Sequence, residues 1–187
     1  MAKQCQSEQT VRRHTALVLA LLSLLRTRSL QDISVKDICQ TADIPRRTFY
    51  HYFTGKEDLV AALIRDLLLD CDLAILPRPT DGPDRQRESL ARFFRFWQQT
   101  HRETLELLLK NEQAPQIIRQ AHQWICREHL HTADSAQASD PRQLVGLATI
   151  SGVYSLLFFW FQTGLQQSAE EMADQAARFL TQPLVLW

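Results

Sequence analysis

The sequence predicts an all-α fold, a small N-terminal three-helix domain holding a helix-turn-helix and a larger C-terminal helical domain. Three observations predict it. Apolar residues recur at helical spacing along most of the chain, without strand-like alternation. Glycine is scarce, 5 of 187 residues, and the prolines gather between the periodic runs. Near the N-terminus a long amphipathic run is followed by two short ones joined by a three-residue turn.

The first helix is expected over about Thr10–Arg26. Leu17, Ala20, Leu21, Leu24 and Leu25 form one apolar stripe there, with Arg12, Arg13 and Arg26 off it. Ser34, with Asp37 three residues on, is a capping-box-like start for a second helix over about Val35–Thr41. Ala42-Asp43-Ile44 is the turn, and Pro45 suits the first position of a third helix running to about Phe53. Thr54-Gly55 breaks it, and a fourth helix is expected from Lys56 to about Leu76. The stretch Leu76–Pro83, with three prolines and a glycine, is the clearest linker. Beyond it the periodicity predicts helices near 84–100, 102–111, 115–131, 141–164 and 168–181, with a polar loop over 132–141. Ser168 and Glu171 repeat the capping-box signal, and Pro183 closes the last helix. The expected domains are 1–55 and 56–187, with 56–76 as a connecting helix.

Whole-chain charge is zero, but it is unevenly distributed. Residues 1–65 carry ten Lys+Arg against six Asp+Glu, and the remainder eleven against fifteen. One end is therefore suited to a polyanion. The four cysteines lie far apart, which fits free thiols in a reducing cytosol. Met1 to Gln9 is polar and no cleavage-like site follows, so a cytoplasmic chain is expected. Residues Gln143–Ala169 carry no charge and are long enough to span a bilayer. Scattered glutamines and the acidic flank Glu170-Glu171 point instead to a helix buried in protein, with no membrane partner.

No enzymatic constellation is visible. The chain has no Gly-rich phosphate loop, no G-x-S-x-G and no H-E-x-x-H. His129 and His131 fall on different helix faces, and His122 with Cys126 lack a third ligand. The expectation is no catalytic residue, no metal and no cofactor.

The helix-turn-helix core is assigned to Leu21, Leu25, Ile33, Val35, Ile38, Ala42, Ile44, Phe49, Phe53 and Leu59. That leaves Arg46, Arg47, Thr48, Tyr50 and His51 on the exposed side of the third helix, a set able to donate to phosphates and base edges. The stretch Ser34–Leu59, SVKDICQTADIPRRTFYHYFTGKEDL, resembles the DNA-binding signature of the TetR family over its whole length. The resemblance implies that Arg46, Arg47, Thr48 and His51 face the major groove of operator DNA. It also implies that Tyr50 holds a phosphate, that Lys56 at the start of the fourth helix grips another, and that Lys36 is a further backbone contact. Two positions depart from the family pattern. Asp43 stands where the turn usually has Gly, and Pro45 replaces a small hydroxyl residue. Arg47 replaces a commonly small residue and is the favoured base reader, bidentate to guanine.

In this reading the C-terminal domain is the dimerisation and ligand-binding part, because one helix-turn-helix makes too few contacts for an operator and a two-fold homodimer is the usual remedy. Leu147, Ile150, Tyr154, Leu157, Phe158 and Phe161 form the expected dimer face, and Leu156, Phe159 and Trp160 a second face. The resemblance further implies a small-molecule effector, with Phe93, Phe94, Phe96, Trp97, His101, Trp124 and Tyr154 as candidate lining residues. The segment from Gly152 to Met172 resembles the DhaS-type subgroup of the same family. Two functions follow as alternatives, a repressor released by an effector, or an activator or adaptor whose C-terminal domain binds a protein partner.

Overall fold

The computed structural model describes residues 8–71, 81–113, 115–117 and 141–181, and all regular structure among them is helical. The helices are α1 (Glu8–Leu25), α2 (Val35–Thr41), α3 (Arg46–Tyr52), α4 (Lys56–Asp70), α5 (Pro83–Thr100), α6 (Arg102–Lys110), α7 (Pro141–Gln162) and α8 (Ala169–Thr181). Only Pro115–Ile117 of the helix expected at 115–131 lie within the described residues. The chain divides into two compact units, Met1–Ile64 and Arg65–Trp187, and the division falls inside α4.

The N-terminal unit is built on the α1 stripe. Leu17, Ala20, Leu21 and Leu25 are buried, and Ile33, Ile38, Phe49, Phe53 and Leu59 close over them. Val35, Ala42 and Ile44, expected in the core, are half-buried at its edge. The capping box starting α2 is complete. Ser34 Oγ accepts from the Asp37 backbone N–H at 3.2 Å, and the Asp37 carboxylate accepts from the Ser34 N–H at 2.8 Å.

Three helices end by one device. At the end of α2, Ile44 N–H donates to Cys39 O at 3.0 Å and Asp43 N–H to Gln40 O at 3.3 Å. Asp43 takes a left-handed backbone, φ 51°. The pattern recurs after α6 around Glu112 (φ 58°) and after α7 around Gly164 (φ 80°). Each satisfies carbonyls that a helix end leaves open. Pro45 sits one residue earlier than expected, capping α3 rather than opening its first turn.

In the C-terminal unit α5 packs most extensively on α8. Two ion pairs bind that contact at its margin, Arg87 with Asp174 and Arg95 with Glu170. The second capping box is also complete, with Ser168 Oγ accepting from Glu171 N–H at 3.1 Å and the Glu171 carboxylate accepting from Ser168 N–H at 2.7 Å.

The residues of the expected dimer face are placed as follows. Tyr154, Leu157, Phe158 and Phe161 are buried within their own chain, as is Trp160 from the opposite set. A side chain already covered by its own protomer adds no area at an interface. Among the described residues of this unit, the large apolar side chains left in solvent are Leu69 on α4, 58 % exposed, Phe159 on α7, 59 %, and Phe179 on α8, 46 %. Leu147 and Ile150 lie on α7, but their side chains are outside the described residues. Among the described residues no helix is long and apolar enough to cross a membrane.

Candidate nucleic-acid interface

Helix α3 is seven residues long and two-sided. Phe49 anchors its inner face, buried against Phe53 with ring centroids 5.5 Å apart, and Phe53 in turn meets His14 of α1 at 5.6 Å. One buried aromatic therefore fixes the rotation of a helix too short to be stable alone. Its outer side presents Arg46, Arg47, Tyr50 and His51, all exposed. Tyr50 is 52 % exposed and rests edge-on against Phe49, centroids 5.5 Å apart, which orients the phenol without burying it. Thr48 is half-buried, in keeping with a partly structural position.

Lys36 of α2 and Arg46 of α3 are brought together on one open cleft of about 510 Å³, lined also by Cys39, Gln40, Asp43, Ile44 and Pro45. Burial pushes the Cys39 thiol pKa up, against the opposing charge of Arg46. The cleft thus places two cations beside the turn residues and the Cys39 thiol.

Lys56 is placed differently from the sequence expectation. Its ammonium donates to the backbone oxygens of Leu30 at 2.7 Å, Gln31 at 3.2 Å and Ile33 at 2.8 Å. An ammonium has three donors, and all three are committed to the α1–α2 connection. In this geometry Lys56 braces the carbonyl cluster before α2 and has no donor left for a phosphate.

Tyr52 was not anticipated. The Arg13 guanidinium, and after it the Thr10 hydroxyl, donate to its phenol oxygen and hold the pKa below the ordinary tyrosine value. This ties the start of α1 to the end of α3 and holds a cation there. The available signal was Arg13 standing off the α1 stripe, but its partner lies 39 positions along the chain.

The candidate effector residues fall into two groups. Phe93, Trp97 and Tyr154 form one ring cluster, with Phe93–Tyr154 centroids at 5.3 Å and Trp97–Tyr154 at 6.1 Å. Phe94 turns to Trp160 instead, at 5.5 Å. His101 packs on Phe96 and Trp97 and bonds through Nε2 to the Asp70 carboxylate at 2.8 Å. Trp124 lies outside the described residues, as do His122, Cys126, His129 and His131. Among the described residues no cluster of three or more His, Cys, Asp or Glu could hold a metal ion.

Residues 17–63 match the family described as bacterial regulatory proteins, tetR family. The HTH-type transcriptional regulator EthR of Mycobacterium tuberculosis is 35% identical over 80 residues, 43% of this chain and 37% of that protein. The DhaS activator of the dhaKLM operon in Lactococcus lactis is 45% identical over 42 residues, 22% of each chain. The sequence matches thus span well under half of these relatives. The fold likeness is broader. A TetR transcriptional regulator from Streptococcus agalactiae superposes with a TM-score of 0.59 at 17% identity, covering 93% of this chain and 96% of that one.

Proposed function

We propose that this chain, whose residues 17–63 match the tetR family of bacterial regulatory proteins, is a sequence-specific DNA-binding transcription regulator of that family. It acts as a homodimer on a palindromic operator. The observation that carries this is α3, whose inner face is locked by Phe49 while Arg46, Arg47, Tyr50 and His51 stand free for a duplex groove. Arginine pairs bidentately with guanine, and phenol, imidazole and Lys36 suit phosphates or base edges. Thr48 adds a methyl and a hydroxyl at the groove edge.

The dimer face in this reading is the stripe Ala148, Gly152, Ser155 and Phe159 of α7, with Phe179 of α8 beside it. It is spaced as one helix face, it is uncharged, and it ends in two exposed phenyl rings. A face of small residues lets helix backbones come close, and two-fold symmetry makes one such face self-complementary. Phe179 Cε1 already stands 2.9 Å from where a Cβ on Gly152 would be, so the absence of a side chain there seats the ring.

Repression is the proposed sign of control, because a dimer covering a promoter excludes polymerase without needing a further contact surface. A small-molecule effector in the C-terminal unit, binding one dimer conformation better than the other, would release it. The second reading, activation, is favoured by the likeness to DhaS, which is named an activator. Cytoplasmic location follows from the same proposal.

Selection of bound duplexes from random DNA tests the function. The expected product is a palindrome whose half-sites are spaced by about one helical turn, roughly 34–36 Å, or a multiple of it. A well-folded protein with no salt-sensitive preference for any duplex over scrambled competitor would overturn it. A reporter placed behind the selected site then gives the sign.

A further inference from the structure

The first turns of α1 meet the end of α3 through Thr10, Arg13 and His14, which share one face of α1. The Arg13 guanidinium and the Thr10 hydroxyl both donate to the Tyr52 phenol oxygen. The His14 ring lies 5.6 Å from that of Phe53. Tyr52 in turn stands edge-on to His51, centroids 5.2 Å apart at 82°. Arg13 and Tyr52 are half-buried, whereas His51 is exposed.

This junction holds a cation without a carboxylate. The one acid of α1, Glu8, is paired with Arg12, and Arg13 bonds to a phenol instead. A guanidinium carries five N–H donors, and one phenol oxygen engages few of them. The phenol oxygen has two lone pairs, and the Arg13 and Thr10 donors take both, so its own O–H is all it has left to offer. The Arg13–Tyr52 pair thus presents donors and positive charge together, the complement of an anionic oxygen.

We propose that Arg13 is a further phosphate ligand of the regulator, carrying the duplex interface from α3 onto α1, and that Tyr52 is the positioning residue that aims it. The proposal rests on the DNA-binding reading given above and adds to it a contact outside the helix-turn-helix.

The placement favours a duplex phosphate. Lys36 stands at the start of α3, on the cleft it shares with Arg46, and Arg13 stands at the end, on Tyr52. From Arg46 to Tyr52 the helix rises about 9 Å, close to the roughly 12 Å width of the major groove. Cations at the two ends of such a helix are placed for the two phosphate chains that border the groove. The bond to Tyr52 also restrains the long Arg13 side chain in advance, which lowers the entropy lost on contact.

The test uses the full chain and the duplex selected from random DNA, with affinity read by anisotropy over a range of salt. Arg13→Gln is expected to weaken every operator variant alike, roughly tenfold, and to lower the magnitude of the salt slope by about one. Tyr52→Phe keeps the ring contacts with His51 and Phe53. It is expected to cost roughly three- to fivefold in the wild type and little further in Arg13→Gln. Duplexes with single phosphates replaced by neutral methylphosphonate then locate the contact. One linkage per half-site is expected to matter to the wild type and to be silent in Arg13→Gln. If Arg13→Gln fails to fold, Tyr52→Phe is carried through the same duplexes, and sensitivity at that linkage is expected to fall. An unchanged salt slope, a loss confined to one base pair, additive Arg13 and Tyr52 effects, or no linkage that falls silent overturns the proposal. Wild-type protein that binds no duplex removes the regulator function and this contact with it, whereas binding with an unaltered slope in Arg13→Gln removes the contact alone.

Discussion

Lys56 Nζ donates to the backbone oxygen of Ile33 at 2.8 Å, joining the first residue of α4 to the last residue before the α2 cap. With its bonds to Leu30 and Gln31, this contact ties down the segment that delivers Ser34 to its capping position. In the proposed regulator, Lys56 would thus act on DNA binding through the fold.

Replacing Lys56 by Gln is expected to cost about 1–3 kcal/mol of unfolding free energy, because charged hydrogen bonds to carbonyls are lost. It weakens DNA binding while leaving the slope of log affinity against log salt unchanged. A phosphate contact would instead reduce the magnitude of that slope by roughly one. Urea unfolding and anisotropy titrations at several salt concentrations separate the two.

Arg47→Ala is expected to cost about 1–3 kcal/mol of binding to the best operator and to relax preference at one base pair per half-site. Tyr50→Phe, which removes only the phenol hydroxyl, is expected to weaken all operator variants alike. Competition binding over a set of single-base operator variants measures both, and a uniform loss for Arg47→Ala would reassign it to the backbone.

Asp43 and Glu112 hold left-handed backbones that glycine adopts without strain. Asp43→Gly and Glu112→Gly are each expected to raise stability by up to about 1 kcal/mol, whereas Asp43→Val lowers it by more than that. Chemical denaturation checks the order, and a destabilising Asp43→Gly would show that the Asp side chain itself serves the turn.

The hydrogen bonds from Ser34 hold the Asp37 carboxyl at about 2, below its ordinary 3.8. A carboxyl whose pKa falls on folding stabilises the fold above its unfolded value, and that contribution fades as pH drops from about 4 towards 2. Asp37→Asn is expected to flatten the stability profile in that window. Ser34→Ala is expected to cost about 1 kcal/mol at neutral pH through loss of the cap. Thermal melts from pH 2 to 7 provide the measurement, and an unchanged acid limb in Asp37→Asn would contradict the assignment.

Gly152→Ala separates protomer from dimer. Alanine favours the helix interior over glycine by about 1 kcal/mol, so the protomer should not lose stability. The new methyl displaces the Phe179 ring, so self-association is expected to weaken. Sedimentation at several concentrations, beside a thermal melt, reads the two effects apart.

The sequence carried the N-terminal unit well because its decisive signals are local. Ser34 and Asp37 are three residues apart, and Phe49 lies among residues whose exposure follows from helical period alone. The bonds of Lys56 were not legible because its partners lie 23–26 residues away and are reached only through tertiary proximity. The inward-facing side of α7 was hidden for another reason. Helix α7 is apolar on nearly every side, so its own pattern does not say which side turns inward. That choice is made by Phe93 and Trp97 of α5, which claim Tyr154, leaving Phe159 on the outside.

The bare rings of Phe159 and Phe179 make the proposed regulator answerable to its own abundance. When pairing buries them, the population of competent molecules rises with the square of free protomer at low abundance, so a modest change in synthesis becomes a larger change in promoter occupancy. The same exposed phenyl groups leave newly made, unpaired chains adhesive to other apolar surfaces. For the proposed dimer, gene dosage would thereby be an input to the circuit, alongside any chemical signal.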